Sequence, residues 1–443
     1  MSFFRAARAR LRGAHPDHHS IATSMAWVAL FALLGKLAGA AKEMAIAYRY
    51  GLGEEVDAYL FVFNLINWPV SVWFSVLILV LVPLVARIEQ GAPADLPRFR
   101  SELFVLTLLL GLAWTLLDVW SLPTLLGSTW TGLPPKTAAL ALAMTTPLAL
   151  MAGLGFVASL FSAWMLAAGR HANTLLEGVP ALVIMGTLFF FPESATAPLV
   201  WGTVAGYVAY LASLAVPLWR KGELDAARYT QTSSQWTPFW HGFGIMMAGQ
   251  ALMSVTAILD QFFAAHQGSG AIATLSYANR ILSLILGMGA MAASRATLPV
   301  FSRAQAHGDT EVHQVAVRWG LFLFGLGVMV MGVGWLLAPW GVSLLFERGA
   351  FTAQDTARVV EVLRYGLTQL PFYFSGIVLV SLLASQGRHR VIAAVASANL
   401  VVKFVAMVIL TPSYGINGVV FATTVMYGAS LFLLGLSIKA KRI

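Results

Sequence analysis

The chain has 443 residues, of which 58% are hydrophobic and only 11% are charged, and its mean hydropathy is +0.77. Soluble domains carry about a quarter charged residues, so this composition excludes an ordinary soluble enzyme and indicates an integral membrane protein. The net charge of +9 could indicate nucleic-acid binding, but no basic surface domain with interleaved aromatic residues is present to provide it. Cysteine is absent, so disulfides and cysteine-metal sites are excluded.

Apolar runs between charged or Pro/Gly-marked breaks predict an all-α polytopic membrane protein with about twelve transmembrane helices. In chain order the predicted spans are 20–49, 57–86, 101–122, 137–168, 172–191, 196–219, 237–266, 269–301, 316–346, 357–386, 390–411 and 416–438. An even number of spans places both termini on the same side of the membrane.

Lysine and arginine are distributed unevenly between the two sides of these spans. Counted together with the span ends that adjoin them, the termini and even-numbered connections hold eighteen, and the odd-numbered connections hold four. Because positive charge is retained on the cytosolic side, both termini are expected in the cytosol. An alternative is that the first apolar run, which reaches Ala38-Gly39-Ala40, is a cleaved signal peptide. Removing it would invert this topology, so a first span fits better.

The longest polar interruption runs from Arg220 to Gln235 and divides the chain near its middle. The predicted organisation is a basic cytosolic tail at 1–19, an N-lobe of six spans at 20–219, a cytosolic linker at 220–236 and a C-lobe of six spans at 237–443. The second and eighth spans end in a similar way, with a proline followed by an arginine, Pro83 and Arg87 in the second and Pro299 and Arg303 in the eighth. Six spans per half indicate parallel repeats around a central cavity, as in several transporter folds.

Enzyme signatures are missing from the sequence. It contains no Walker A phosphate loop, no HExxH zinc helix, no GxSxG elbow and no intact GxGxxG. The cluster His15-Pro-Asp17-His18-His19 offers metal-binding side chains, but the sequence places no further ligands nearby, which favours a simple cytosolic tail. We therefore expect a transporter that uses neither a cofactor nor a metal.

Four cations lie well inside otherwise apolar spans, namely Lys36, Lys42, Arg280 and Lys403. A charge at the bilayer centre costs about 2.5 to 3.5 kcal/mol on insertion scales, so such residues usually face a protein interior or a wet cavity. A cationic cavity indicates an anionic cargo. Arginine suits phosphate in particular, because its planar guanidinium donates two parallel hydrogen bonds.

The first span carries several of these charges on one arc. At 100° per residue Lys36, Gly39 and Glu43 share a face, and Lys42 lies within about a third of a turn. Gly39 leaves space beside the charges, which favours a binding surface. The alternative is a neutralising pair of Glu43 with either lysine that only stabilises the helix bundle.

Two further groups of polar residues lie in the second half of the chain. In the eighth span, Asn279 precedes Arg280 roughly eleven residues below the extracellular end, so Arg280 can reach a central cavity. Asp260 in the seventh span forms a second candidate group with Asn399 and Lys403, which lie one turn apart in the eleventh span. This group is either a buried ion pair or a proton site.

Several of these motifs resemble the lipid II flippase family (MurJ/MviN) of the multidrug/oligosaccharidyl-lipid/polysaccharide (MOP) exporter superfamily. The segments similar to the family pattern are Gly35 to Glu43, Gly51-Leu-Gly53, Asp57-Ala-Tyr-Leu-Phe-Val-Phe63, Tyr277-Ala-Asn-Arg280 with Leu298-Pro299, Leu345 to Asp355, and Tyr414-Gly-Ile-Asn-Gly418. Their order and spacing cover about residues 22 to 438.

The resemblance implies a MOP/MATE-like fold whose central cationic cavity binds the pyrophosphate and sugars of an undecaprenyl-linked glycan. It implies a flippase that carries this lipid from the cytosolic to the periplasmic leaflet of the bacterial inner membrane while its two lobes rock. By this resemblance Lys36, Lys42 and Arg280 match the family's cavity arginines, and Asp57 matches its acidic residue after the first helix. The expected partners are the glycan lipid and membrane lipids, with glycan-assembly enzymes as further candidates.

The chain departs from the family pattern in features that bear on its substrate. Lys36 and Lys42 replace arginines, which keeps the charge but loses bidentate geometry, and the cation expected in the second helix falls around Val70 or Ser71. Peptidoglycan-type members also carry two helices beyond the twelfth. Lipid II and a related exopolysaccharide or O-antigen repeat unit are therefore both candidate substrates.

A further departure concerns the coupling ion. Sodium-dependent relatives place acidic and amide ligands on helices seven, eleven and twelve, and Asp260 and Asn399 resemble two of these. Lys403 stands where an acidic ligand is expected, so its ammonium would occupy the place of sodium. Transport driven by membrane potential or protons is therefore predicted.

Two other functions stay open. A multidrug/cation antiporter of the same superfamily would need an acidic or aromatic cavity, which the positive bias of this cavity disfavours. A non-transporting membrane scaffold for glycan assembly would leave the charges within the spans unexplained.

Overall fold

The computed structural model describes residues 16–170, 173–191, 195–224, 230, 232–306 and 312–439, and its regular structure there is helical throughout. The helices are α1 (Pro16–Tyr50), α2 (Glu54–Gly91), α3 (Leu96–Leu126), α4 (Pro135–Ala167), α5 (Asn173–Leu176), α6 (Val179–Phe190), α7 (Ala197–Arg220), α8 (Trp236–Ala265), α9 (Ala271–Ala306), α10 (Val312–Phe346), α11 (Ala353–Leu367), α12 (Leu370–Ser385), α13 (His389–Tyr414) and α14 (Ile416–Lys439). Short 3-10 turns lie at Pro93–Asp95 and Thr129–Thr131.

Each predicted span coincides with one of these helices or with a consecutive pair, α5 with α6 or α11 with α12. Within the described ranges, ten helical segments are long and apolar enough to cross a membrane, or up to eleven if the two parts of bent α8 form one span. The predicted all-α polytopic fold is therefore confirmed, and the protein is a multi-pass membrane protein. Residues 1–15 of the predicted tail and 225–229 and 231 of the predicted linker lie outside the described residues.

Close packing divides the chain into two compact units. The first unit comprises the chain up to Lys42 together with Trp73–Leu116 and Pro147–Gly244. The second unit comprises Glu43–Val72, Leu117–Thr146 and the chain from Ile245 onwards. Helices α1, α2, α3, α4 and α8 therefore contribute to both units, and the lobe division at 219 and 237 stays a prediction.

In the first unit, the end of the predicted linker packs on α3. The buried Glu102 carboxylate accepts hydrogen bonds from the Thr230 hydroxyl at 2.8 Å, the Thr232 amide at 3.1 Å and the Trp236 indole at 2.6 Å. The Trp236 ring also contacts Phe99 edge-on, with ring centroids 5.4 Å apart. A buried carboxylate surrounded by donors in this way holds the start of α8 against α3.

The second unit has an apolar core where α10, α12, α13 and α14 meet. Ala316, Val378, Leu382, Val395 and Leu434 are all buried in this cluster. The opposite surface of α10 is apolar and exposed, and it suits contact with lipid rather than water. Apolar residues on both sides of a helix are expected where protein covers one face and the bilayer covers the other.

The loop between α10 and α11 contains the Leu345–Asp355 motif. Gly349 adopts a positive φ of 60° and lies so close to the Tyr48 backbone that a side chain would collide with it. α11 then begins with a capping box, in which the Thr352 and Asp355 side chains each accept from the other's backbone amide. The motif thus holds the start of α11 against the end of α1 within the second unit.

Candidate functional site

A cavity of about 420 Å³ lies in the second unit between α2, α8 and α9. Each helix contributes one stripe of residues at the spacing i, i+3, i+4, i+7, which places them on a single face over two turns. The stripes are Asn64, Asn67, Trp68 and Ser71 on α2, Ser254, Ala257, Ile258 and Gln261 on α8, and Ser276, Asn279, Arg280 and Ser283 on α9. A polar cavity in membrane-spanning helices is a candidate binding site for a polar ligand.

Arg280 is the cation of this cavity, and it is paired with Glu43 of α1. The Arg280 guanidinium donates to the Glu43 carboxylate, whose side chain is only 3% exposed, whereas the Arg280 side chain is 45% exposed. A carboxylate buried this deeply needs a partner, because an unpaired charge in a low-dielectric interior is costly. Glu43 therefore orients Arg280 while leaving much of the guanidinium open to a ligand.

Asp57 lies at the N-terminus of α9, outside the lining of the cavity. Its buried carboxylate accepts hydrogen bonds from the backbone amides of Gly270 at 2.6 Å and Ala273 at 2.7 Å. Gly270 immediately precedes α9 and Ala273 lies in its first turn, where helix N–H groups lack intrahelical acceptors and a negative charge is favoured. Because α9 carries Asn279 and Arg280, Asp57 positions both residues without lining the cavity.

Replacing Asp57 with alanine is expected to destabilise the protein by about 1 to 3 kcal/mol, because two buried amides lose their acceptor. Thermal unfolding of the detergent-solubilised protein measures this change. Asp57→Asn should lose less stability than Asp57→Ala, since asparagine retains one side-chain carbonyl oxygen as an acceptor. The exposed carboxylate Glu89 provides the matched control, and Glu89→Ala should unfold at the wild-type temperature. Equal unfolding of Asp57→Ala and wild type would contradict the capping role.

Asp260 and Lys403 form an ion pair, with Lys403 Nζ 2.8 Å from Asp260 Oδ2. The Lys403 side chain is 3% exposed and that of Asp260 is 18% exposed. Both residues line a second cavity of about 240 Å³, and Asp260 also lines the larger cavity. The Asn399 amide donates to Ser430 Oγ at 3.1 Å. Of the two interpretations that the sequence left open, the geometry is that of an ion pair.

The remaining predicted residues belong to the first unit. Lys36 is exposed and Lys42 is half-buried on α1. The structure thus brings Glu43 and Arg280 together at one cavity, with Asn279 beside them in its wall, while a joint site with the two lysines stays a prediction. Arg280, which the sequence singles out as a charge within an apolar span, is the only arginine that lines this cavity.

The uncharged lining of the cavity was missed by that reasoning. Asn64, Asn67, Trp68 and Ser71 interrupt the second span at helical spacing, which is a signal that the sequence offers. Gln261, next to Asp260, is another polar residue within an apolar span. The cation that the family resemblance expects in the second helix falls around Val70 or Ser71, and Ser71 lines the cavity with a hydroxyl.

The family of proteins described as lipid II flippase MurJ matches residues 46–443 of this chain. The chain belongs to the lipid II flippase MurJ family. The probable lipid II flippase MurJ of Helicobacter pylori J99 is 29% identical over 205 residues, which are 46% of this chain and 44% of that protein. The lipid II flippase MurJ of Burkholderia cenocepacia is 24% identical over 387 residues, 80% of this chain and 70% of that protein. The chain therefore matches less than half the length of the Helicobacter MurJ.

Solved structures show the same fold as this MurJ family member. Lipid II flippase MurJ in an inward closed conformation matches with a TM-score of 0.79 at 18% identity, covering 93% of this chain and 87% of that one. An inward-facing MATE family transporter of the MOP superfamily matches with a TM-score of 0.74 at 16% identity, covering 92% and 94%. The predicted MOP/MATE-like fold and the family resemblance are confirmed, and the family is one of transporters rather than enzymes.

Proposed function

We propose that this protein is a flippase that moves an undecaprenyl-pyrophosphate-linked oligosaccharide from the cytosolic to the periplasmic leaflet of the bacterial inner membrane. Membership of the MurJ family supports the class of activity. The observation that carries the proposal is the polar cavity that holds Arg280 among membrane-spanning helices. Arg280 pairs with Glu43, yet its side chain is 45% exposed and its guanidinium carries more N–H donors than one carboxylate uses, so it can also bind an anion such as pyrophosphate.

The proposed role of Arg280 is to bind the pyrophosphate. Its guanidinium forms hydrogen bonds to phosphate oxygens in fixed directions, and Glu43 holds the group in place before the substrate arrives. Asn279, the neighbouring residue in the cavity wall, adds an amide that can donate to the same group. Lys36 and Lys42 would supply further positive charge, as point charges that do not impose the planar geometry of arginine.

The proposed cargo is defined by its polyprenyl pyrophosphate and its glycan. The curated relatives are named for lipid II, which makes lipid II the first candidate. This chain has lysines at 36 and 42, where the resemblance expects arginines, and uncharged residues around Val70 or Ser71, where the resemblance expects a cation. A related exopolysaccharide or O-antigen repeat unit is therefore the second candidate.

The proposed mechanism is alternating access. The predicted lobes at 20–219 and 237–443 would rock between inward-open and outward-open states while the polyprenyl tail stays in the bilayer. The charge distribution supports cytosolic termini, because eighteen of the counted cations lie on that side and four on the other. No covalent step is required, since the cargo is released unchanged.

Reconstitution of the purified protein in vesicles tests this function directly. Fluorescent lipid II placed in one leaflet should become accessible to a membrane-impermeant reagent in the other leaflet only when the protein is present. Binding of the lipid without translocation would favour the scaffold alternative. Translocation of a cationic amphiphile in place of lipid II would favour the antiporter alternative. Either of these results would overturn the proposal.

Translocation is expected to proceed at the same rate when sodium is replaced by choline. The Lys403 ammonium already contacts the Asp260 carboxylate at 2.8 Å, so this carboxylate has an internal counter-ion. The same vesicle assay in sodium and choline buffers, with the membrane potential clamped, measures the effect. A steep increase in rate with sodium would remove this part of the proposal.

A further inference from the structure

A groove of about 610 Å³ lies in the second unit between α10 and α11, which are joined by a short loop. Ser343 on α10 and Ala353 and Ala357 on α11 line it. These short side chains leave the space between the two helices unfilled. The groove is separate from the cavity that holds Arg280, because no residue lines both.

Three charged side chains also line this groove: Glu347 just after the end of α10, and Glu361 and Arg364 on α11. Glu361 and Arg364 lie one turn apart on the same helix, a spacing at which opposite charges can pair. None of the three forms an ion pair with any residue that the structure describes. Charges of both signs are therefore open to a ligand in the groove.

Arg364 is held in place by α10. Its Nε donates to the Trp335 carbonyl oxygen at 3.2 Å, and its guanidinium lies over the Trp335 ring, 5.4 Å from the ring centroid. Neither of its terminal nitrogens, Nη1 or Nη2, has a hydrogen-bond partner among the described residues. A fixed guanidinium with its terminal N–H groups open matches the oxygens of a phosphate.

Each of the two carboxylates uses only one of its oxygens. Glu347 Oε2 accepts from the Thr356 hydroxyl at 2.8 Å, and Glu361 Oε1 accepts from the Asn417 side-chain amide at 2.7 Å. The second oxygens, Glu347 Oε1 and Glu361 Oε2, have no partner in the described part of the chain. Ionised carboxylates only accept hydrogen bonds, so these oxygens match a cation that carries N–H groups.

The groove lies at the level where lipid headgroups are expected. The loop after α10 is an odd-numbered connection, which the charge distribution places on the periplasmic side. Trp340, near this end of α10, is exposed, and tryptophan is enriched at membrane interfaces. Leu336 is also exposed and lies two turns before Ser343 on the same face of α10. Acyl chains can therefore contact α10 below the groove while a headgroup enters it.

The order of the charges along α11 matches the order of charges in a phospholipid. α11 and α12 together form one apolar segment, Ala353–Ser385, which enters the membrane from the predicted periplasmic side. Arg364 follows Glu361 by three residues and so lies about 4.5 Å deeper. In a phospholipid with an amine headgroup, the phosphate likewise lies deeper than the ammonium.

We infer that the groove between α10 and α11 binds one phosphatidylethanolamine in the predicted periplasmic leaflet. Arg364 binds its phosphate, and Glu361 and Glu347 accept hydrogen bonds from its ammonium. An anionic phospholipid would satisfy Arg364 but leave both carboxylates without a cation. Phosphatidylcholine carries both charges, but its quaternary ammonium has no N–H group to donate. This site is independent of the cargo and goes beyond the proposed function.

Competition between three lipids tests this site. The purified full-length protein is delipidated in detergent and mixed with equal amounts of phosphatidylethanolamine, phosphatidylcholine and phosphatidylglycerol with identical acyl chains. Native mass spectrometry then counts the lipids that stay bound. Wild type should retain phosphatidylethanolamine about tenfold over either competitor, because only this lipid forms charge-assisted hydrogen bonds at both ends of the groove.

Substitutions locate this preference in the groove. Glu347→Gln and Glu361→Gln should each lower it about threefold, and the double variant should remove it. Glutamine keeps the oxygen that accepts from Thr356 or Asn417, so the local structure is retained. Arg364→Gln should weaken retention of phosphatidylethanolamine, since the phosphate loses its partner.

Matched controls are available for both kinds of charge. Arg358 is exposed on the same helix and lines a different cavity, so Arg358→Gln should leave the preference unchanged. Glu89→Gln, a change at an exposed carboxylate elsewhere, should also leave it unchanged. Thermal unfolding in lipid-free detergent shows whether each variant is folded.

Equal retention of the three lipids by wild type, or a preference for phosphatidylglycerol, would overturn the assignment. A preference for phosphatidylethanolamine that survives in the double glutamate variant would also overturn it, because the lipid would then bind elsewhere. Translocation of the glycan lipid in vesicles is a separate measurement, so either result leaves the flippase proposal standing.

Discussion

Arg280→Ala is expected to lower the rate of glycan-lipid translocation in vesicles by about a hundredfold or more, because charge-assisted hydrogen bonds to the pyrophosphate are lost. The same change leaves the buried Glu43 carboxylate without its guanidinium partner and should also lower stability. Initial rates and thermal unfolding are therefore measured on the same preparations. Arg280→Lys should retain part of the activity, since it keeps the charge and loses the planar donor geometry.

A second substitution separates loss of binding from loss of stability. Arg280→Ala combined with Glu43→Gln removes both charges of this ion pair, so stability should recover while translocation should not. Recovery of translocation in this double variant would show that Arg280 acts only through Glu43.

Lys42→Ala is expected to abolish translocation without loss of membrane insertion, whereas Lys221→Ala, a change at an exposed lysine, should behave as wild type. Full activity in both Arg280→Ala and Lys42→Ala would refute the proposed anion site.

Lys403→Ala is expected to destabilise the protein by about 3 to 5 kcal/mol, because it leaves the Asp260 carboxylate buried without a cation. Lys403→Met combined with Asp260→Asn removes both charges, so this double variant should unfold at a temperature close to that of wild type. Sodium should raise the unfolding temperature of Lys403→Ala and leave that of wild type unchanged, since a free cation can replace the lost ammonium. Thermal unfolding in sodium and choline buffers measures all three effects.

The protein contains a matched control for this ion pair. Lys136 Nζ lies 2.7 Å from Glu54 Oε2, a distance close to that of the buried pair, but the Lys136 side chain is 74% exposed. Water screens exposed ion pairs, so Lys136→Ala should change stability very little. Equal destabilisation by Lys136→Ala and Lys403→Ala would show that burial does not set the strength of the Asp260–Lys403 pair.

The predicted spans agree with the helices to within a few residues because the bilayer imposes a simple rule. Backbone groups in hydrocarbon must form hydrogen bonds within their own segment, so a run of about twenty apolar residues becomes a helix whatever its neighbours are. The rule does not predict breaks inside a span. The tenth span, predicted as 357–386, is divided between α11 and α12 at Leu367–Leu370, and α8 is bent.

Charge within an apolar span could also be recognised from sequence, because its insertion cost needs an explanation wherever it occurs. Arg280, Glu43, Asp260 and Lys403 are recognisable in this way. How these four side chains pair is not. Asp260 and Lys403 are separated by 143 positions and Glu43 and Arg280 by 237, and only the packing of distant helices brings each pair into contact.

The sequence by itself determined the class of protein, the course of its helices and the positions of its buried charges, because each follows from the cost of placing a group in hydrocarbon. Only the tertiary structure decided what those charges do. It placed the Asp57 carboxylate against the backbone amides at the start of α9, outside the cavity lining. It also aligned one stripe of residues from each of α2, α8 and α9 around one cavity. Such stripes acquire a function only when they face each other, and their facing depends on contacts between residues far apart in the chain.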